Sequence, residues 1–130
     1  MVIDTSAVLA ILQREPESQR FAERIEADPV GLISAVSALE AGMLFEVRKG
    51  EPGALEFDNF ILRGQLQIVP FDAEQASIAR LAFRRFGRGR HPAKLNFGDC
   101  AAYGLASTRG ESLLFKGEDF AKTDIVKAAG

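Results

Sequence analysis

Three apolar residues, Met1-Val2-Ile3, stop at an acid, Asp4, and two hydroxyl residues, Thr5 and Ser6. An apolar run this short, followed at once by a helix-forming stretch, is the pattern of a buried parallel strand. Open α/β sheets bind ligands in the crevice beyond the C-terminal ends of their strands. Asp4 is therefore delivered to such a crevice, and the question for the rest of the chain is which other groups reach it.

Taken in order, the sequence alternates helix and strand signals. Ala7 to Leu12 is apolar nearly all round and ends near Gln13 and Arg14, which predicts a helix buried on most sides. Pro16 predicts the first turn of a second helix, with Phe21, Ala22 and Ile25 inward and Asp28-Pro29 closing it. Val30, Leu32 and Ile33 predict a strand, and Ser34 a helix cap. In the helix that follows, about 35 to 48, Val36, Leu39, Met43, Leu44 and Val47 recur at helical spacing and are read as its inner face. Glu40 falls inside that stripe. A carboxylate there is costly to bury ionised unless it has an arginine partner or sits at the wet end of the stripe.

A helix over about 54 to 64 carries Leu55, Phe57, Phe60, Ile61 and Leu62, and Leu66, Ile68 and Val69 form a strand ended by Pro70. Asp72 caps a helix with Ala76, Ile78, Ala79, Leu81, Ala82 and Phe83 inward, and Gly87 to Lys94 is a loop. Asp99 opens a helix of small residues, and Ser112 to Phe115 form the next strand. Lys116-Gly117-Glu118-Asp119 turns at that strand's tip, and Ile125-Val126 is a candidate edge strand. This order predicts one α/β domain over residues 1–130, a central parallel sheet of four to five strands flanked by helices on both faces.

Composition excludes several functions. At 130 residues and 47% hydrophobic, the chain is long enough to bury a continuous core. No apolar run reaches the length of a membrane span, and an acid at position 4 is unlike the basic start of a signal peptide, so the expected location is the cytoplasm. A single Cys (Cys100) and a single His (His91) exclude an internal disulfide and a Cys/His zinc site, leaving oxygen ligands for any metal. The net charge of −2 is not that of a globally basic nucleic-acid binder. Yet Arg80, Arg84, Arg85, Arg88, Arg90 and Lys94 run without an intervening acid just upstream of Asp99. That stripe suits RNA phosphates flanking a scissile one; the plain alternative is a solvated helix end. Phe86 and Phe97 offer rings for stacking on bases, but in a chain with ten Phe the plainer reading is core.

Four acids share comparable addresses: Asp4, Glu40, Asp99 and Asp119. Singly, Asp4 and Asp99 are explicable as helix caps and Asp119 as a turn acid. Jointly they are not. Two carboxylates about 5 Å apart repel by roughly 3 kcal/mol at an effective dielectric near 20, so four crowded ones carry about 15 to 20 kcal/mol. That exceeds the stability of a typical domain. Such a group takes up protons or holds divalent ions, and oxygen ligands select Mg²⁺ or Mn²⁺, the ions of metal-assisted phosphodiester hydrolysis.

Four stretches carry a resemblance over essentially the whole chain: Val2-Ile3-Asp4-Thr5-Ser6; the acid within Ser37-Ala38-Leu39-Glu40-Ala41; His91-Pro92-Ala93-Lys94-Leu95-Asn96-Phe97-Gly98-Asp99-Cys100; and Leu113-Leu114-Phe115-Lys116-Gly117-Glu118-Asp119-Phe120. They resemble the PIN-domain ribonucleases, most of all the VapC toxins of bacterial toxin–antitoxin pairs. The resemblance implies a Mg²⁺- or Mn²⁺-dependent endoribonuclease with Asp4, Glu40, Asp99 and Asp119 as catalytic and metal-holding acids and Thr5 or Ser6 as hydrogen-bonding support. It also implies a homodimer, a VapB-like antitoxin and a possible higher toxin–antitoxin assembly. Glu118 and Asp124 flank Asp119 and compete with it for the fourth place. A haloacid-dehalogenase-type phosphatase needs a second Asp where this chain has Ser6, and a receiver domain needs an acidic pair at the first strand tip. A non-catalytic RNA-binding or interaction module on the same fold would scatter its acids.

Overall fold

The computed structural model describes residues 1–128. Four strands, β1 (Val2–Ile3), β2 (Leu32–Ser34), β3 (Gln67–Val69) and β4 (Leu113–Leu114), form one sheet in the order β3-β2-β1-β4. All pairings are parallel, with Val2 opposite Leu32 on one side and Leu113 on the other. The edge strand expected at Ile125-Val126 reduces to a single bridge between Leu113 and Lys127.

Six helices connect and cover the sheet: α1 (Thr5–Leu12), α2 (Ser18–Ala27), α3 (Ala35–Lys49), α4 (Glu51–Arg63), α5 (Ala73–Phe86) and α6 (Phe97–Arg109). Successive strand residues point to opposite faces, so a strand apolar at every position needs helices on both sides. Val2, Leu32 and Leu113 enter one core with Ala79, Ala82, Phe86 and Leu105 of α5 and α6. Ile3, Ile33 and Leu114 enter the other, with Val8, Phe21, Phe45 and Phe57 of α1 to α4. Among the described residues, no helix is long and apolar enough to cross a membrane.

The helix starts follow the cap signals, since Asp4, Ser34, Asp72 and Asn96 each accept a backbone N–H in the first turn they open. α2 differs from expectation, because its N-cap is Glu17, Pro16 lies in the preceding turn, and Ala22 is exposed.

The orientation of α3 is the main correction. Leu39, Met43 and Val47 are 64%, 57% and 85% exposed, while Ser37, Ala38, Ala41 and Phe45 are buried. Small side chains on the inner face let α3 come close to α4 and α6: a Cβ on Gly53 of α4 would collide with the Phe45 carbonyl. Leu55 and Leu62 of α4 and Leu81 and Phe83 of α5 also face solvent. The inner face of α5 is Gln75, Ala79, Ala82 and Phe86, against which α6 lies so closely that a Cβ on Gly104 would stand 2.7 Å from the Gln75 carbonyl oxygen.

Candidate active site

Because β1 is flanked by β2 and β4, the segments leaving all three strands emerge side by side. Asp4 follows β1, is 3% exposed, and donates its N–H to the Leu114 carbonyl at 3.0 Å. Its Oδ2 caps α1 by accepting from the Ser6 N–H (3.0 Å) and the Ser6 hydroxyl (2.6 Å). The Ser6 oxygen in turn accepts from the Lys116 N–H at 3.0 Å, so one hydroxyl joins the β1 tip to the turn after β4. Thr5 points elsewhere, its hydroxyl donating to the Ser37 carbonyl at the start of α3. Ser6, rather than Thr5, is the hydroxyl that supports Asp4.

Asp99 sits in the first turn of α6 within a reciprocal capping box. Its N–H donates to Asn96 Oδ1 at 2.9 Å, and its Oδ2 accepts from the Asn96 N–H at 3.0 Å. The Asn96-x-x-Asp99 spacing of this capping box is legible in the sequence. Glu40, in the second turn of α3, is half-buried and lies against α6: a Cβ on Gly98 would stand 2.7 Å from each of its carboxylate oxygens. Gly98 is thus a residue that sequence reasoning misses, and only the absence of its side chain admits Glu40. Asp119 precedes the short 3₁₀ turn Phe120–Lys122, and its side chain makes no cap.

Asp4 and Asp99 feel the neighbouring acids. Burial pushes the Asp4 carboxyl up to about 7, with Asp99 and Glu40 adding to the rise and the Ser6 bonds opposing it. Burial also raises Asp99, with contributions from Asp119 and Glu40 and opposition from the Asn96 bond. Asp124 accepts from the Tyr103 hydroxyl (2.6 Å) and pairs with Arg85 (3.3 Å), and Glu118 is exposed. Cys100, the next residue after Asp99, keeps its proton because burial and then Asp99 push its thiol to about 11.

These side chains suit a hard divalent ion in donor chemistry and in uncompensated charge. Among the described residues no three His, Cys, Asp or Glu side chains already stand close enough to wrap a bare ion. Mg²⁺ keeps several waters and takes one or two carboxylates directly. His91 belongs to a turn: its Nδ1 accepts from the Ala93 N–H at 3.0 Å and its ring packs edge-on against Phe86.

The basic stripe divides. Arg84 and Arg90, with Arg80, line a cleft between α5 and α6. Arg85 lies over the Phe86 ring and turns toward Asp124, while Arg88 and Lys94 are exposed in the loop. Phe86 is core, but Phe97 is 80% exposed.

A family model described as "PIN domain" matches residues 1–126. Ribonuclease VapC30 of Mycobacterium tuberculosis is 50% identical over 129 residues, covering 99% of this chain and 98% of its own. Ribonuclease VapC of Mycolicibacterium smegmatis is 50% identical over 125 residues, covering 96% and 97%. In three dimensions, M. tuberculosis VapC20, described as a sarcin–ricin loop cleaving toxin, superposes with a TM-score of 0.79 at 17% identity over 99% of this chain and 98% of that one. VapBC2 of Rickettsia felis, bound to a promoter DNA fragment, gives 0.73 at 18% identity over 97% and 94%. With the family match over nearly its whole length and half its residues shared with VapC ribonucleases, this chain belongs to the PIN-domain family, among the VapC ribonucleases.

Proposed function

We propose that the protein is a metal-dependent endoribonuclease, the toxin half of a VapBC-like toxin–antitoxin pair acting in the cytoplasm, with Mg²⁺ or Mn²⁺ held by Asp4, Glu40, Asp99 and Asp119. The observation that carries this reading is the pair of buried carboxyls, Asp4 and Asp99, each raised first by burial and further by neighbouring acids, beside three neighbouring strand ends. The names of the 50% identical relatives support it independently. A VapB-like antitoxin and a homodimer are the proposed partners. The exposed Leu39, Met43 and Val47 of α3 accord with a chain that keeps apolar surface for other proteins.

A bound divalent ion supplies Lewis acidity and makes a nucleophile of water at neutral pH. Asp4 and Asp99 are the residues best fixed to hold it. Each is oriented by a cap bond on Oδ2, and that bond holds the carboxylate in one rotamer. Glu40, wedged against Gly98, and Asp119, whose side chain is spared from capping, complete the negative wall that orients attacking water. One P–O bond to water oxygen forms as the P–O bond to the ribose oxygen breaks, and the proton released by water passes to a wall carboxylate or to solvent.

Purified protein freed of any inhibitor is expected to cut single-stranded or looped RNA in Mg²⁺ or Mn²⁺. Asp99→Asn or Asp4→Asn should reduce cleavage about a hundredfold or more. Undiminished cleavage in excess EDTA refutes the metal mechanism.

A further inference from the structure

A cleft of about 540 Å³ opens between α5 and α6, floored by alanines and Cys100 and walled by Phe83 and Phe97. Arg80, Arg84 and Arg90 stand among its lining residues, and no acid does. Among the described residues, none of the three has a carboxylate within 4.0 Å; the arginine pairs involve Arg24 and Arg85 instead. Phe97, 80% exposed, is the first residue of α6, two positions before Asp99. Phe97, Cys100 and Ala101 share one face of α6 by helical spacing, so the cleft lies around the first turn of that helix from Asp99. The Phe83 ring has the Arg90 guanidinium 5.4 Å from its centroid, which gives a flat cationic wall.

An apolar slot with exposed phenyl rings and three unpaired guanidiniums calls for a ligand that is flat and apolar in one part and anionic in the next. We propose that the cleft is a base-recognition subsite for single-stranded RNA, seating one unstacked base against Phe97 and Phe83 while Arg80, Arg84 and Arg90 take the adjoining phosphates. The subsite rests on the ribonuclease reading above for its substrate class. Its volume lies within the roughly 300–1,000 Å³ of small-ligand sites. A second copy of the chain fits less well, because the cleft lining carries three arginines and no acid, so a self-contact over it gathers like charge without a counter-charge from the same lining.

The test measures binding without cleavage, in EDTA, by fluorescence anisotropy of two dye-labelled probes: an oligoadenylate RNA octamer and an abasic ribose-phosphate octamer. Base–aromatic stacking predicts that wild type binds the adenylate probe about tenfold or more tightly over the abasic one. Phe97→Ala should erase that difference while leaving abasic binding unchanged, and Phe97→Tyr should keep it. Arg90→Gln should lower the salt slope for both probes by about one phosphate contact or less. Equal loss on both probes with Phe97→Ala, or no loss on either, overturns the subsite. So does a shift from dimer to monomer in sedimentation with the adenylate preference intact, which assigns the cleft to self-association. Base-dependent binding without any metal-dependent cleavage removes the nuclease reading but leaves the subsite standing. Cleavage without base-dependent binding does the reverse.

Discussion

Asp4 sets up a pH dependence of stability opposite to that of most carboxylates. Burial, then repulsion from Asp99 and Glu40, lifts its carboxyl from 3.8 to about 7 in the folded chain. Between those values the folded state holds a proton that the unfolded chain has released, so stability of the metal-free protein falls as pH rises. At about 1.4 kcal/mol for each tenfold, the ceiling on the loss is about 4 kcal/mol, a large share of a typical domain's 5–15. Asp99, raised for the same leading reason, adds in the same direction. Glu17, held low first by Lys116, and Asp28, held low first by the Val30 N–H, shift in the opposite direction. Their stabilisation is present above the ordinary carboxylate range and is lost in acid. Urea denaturation in EDTA between pH 5 and 8 therefore isolates the buried acids, and the difference between wild type and Asp4→Asn cancels all other titrations. The wild type is expected to lose roughly 2 to 3 kcal/mol over that interval relative to Asp4→Asn, the part of the ceiling above pH 5. Saturating Mg²⁺ or Mn²⁺ at pH 8 should restore much of the loss by binding only the folded form. A wild-type curve parallel to that of Asp4→Asn, or one that rises with pH, refutes the argument.

Gly98→Ala places a methyl group where the Glu40 carboxylate lies, so cleavage should fall at least about tenfold; an unchanged rate means Glu40 has no part in the reaction. Lys116 Nζ bridges Glu15 (2.6 Å) and Glu17 (3.1 Å), tying the turn before Asp119 to the α1–α2 corner. Lys116→Met should leave the melting temperature nearly unchanged and lower kcat several-fold with little effect on KM, and Lys116→Arg should recover the rate; a loss confined to KM places Lys116 on the RNA instead. Gly53→Ala overpacks the α3–α4 contact and should cost about 1–3 kcal/mol in urea denaturation; a neutral substitution means the two helices separate freely.

The sheet was legible because its strands are buried on both faces and punctuated by cap residues: Val2-Ile3 before Asp4 and Leu32-Ile33 before Ser34 read the same way in sequence and in space. Helix facing was not legible. The periodicity of Leu39, Met43 and Val47 is a real stripe, but spacing states only that a face is apolar, and α3 buries the opposite face of Ser37, Ala38, Ala41 and Phe45. The error leaves Glu40 in reach of α6, because it lies at the edge between the two faces rather than at the centre of either. Residue type alone favours the core for Phe97. Its exposure follows from its place as the first residue of α6, where the loop has not yet brought the chain under the sheet.

Capping and chemistry are not competing explanations for Asp4 and Asp99. Each accepts backbone N–H bonds on Oδ2, and each remains raised above the ordinary carboxylate range by burial despite them. A cap alone would lower a carboxyl's pKa, since its N–H bonds favour the charged form. That both are raised means that burial and neighbouring carboxylates outweigh the caps. The caps then act as orienters: they fix where the negative charge stands, while the surroundings leave that charge short of a counter-ion. A surface helix start needs only the first of these. The combination, at two helix starts whose carboxyls are raised further by Glu40 and, for Asp99, by Asp119 as well, is the reason the metal-free protein should weaken as pH rises.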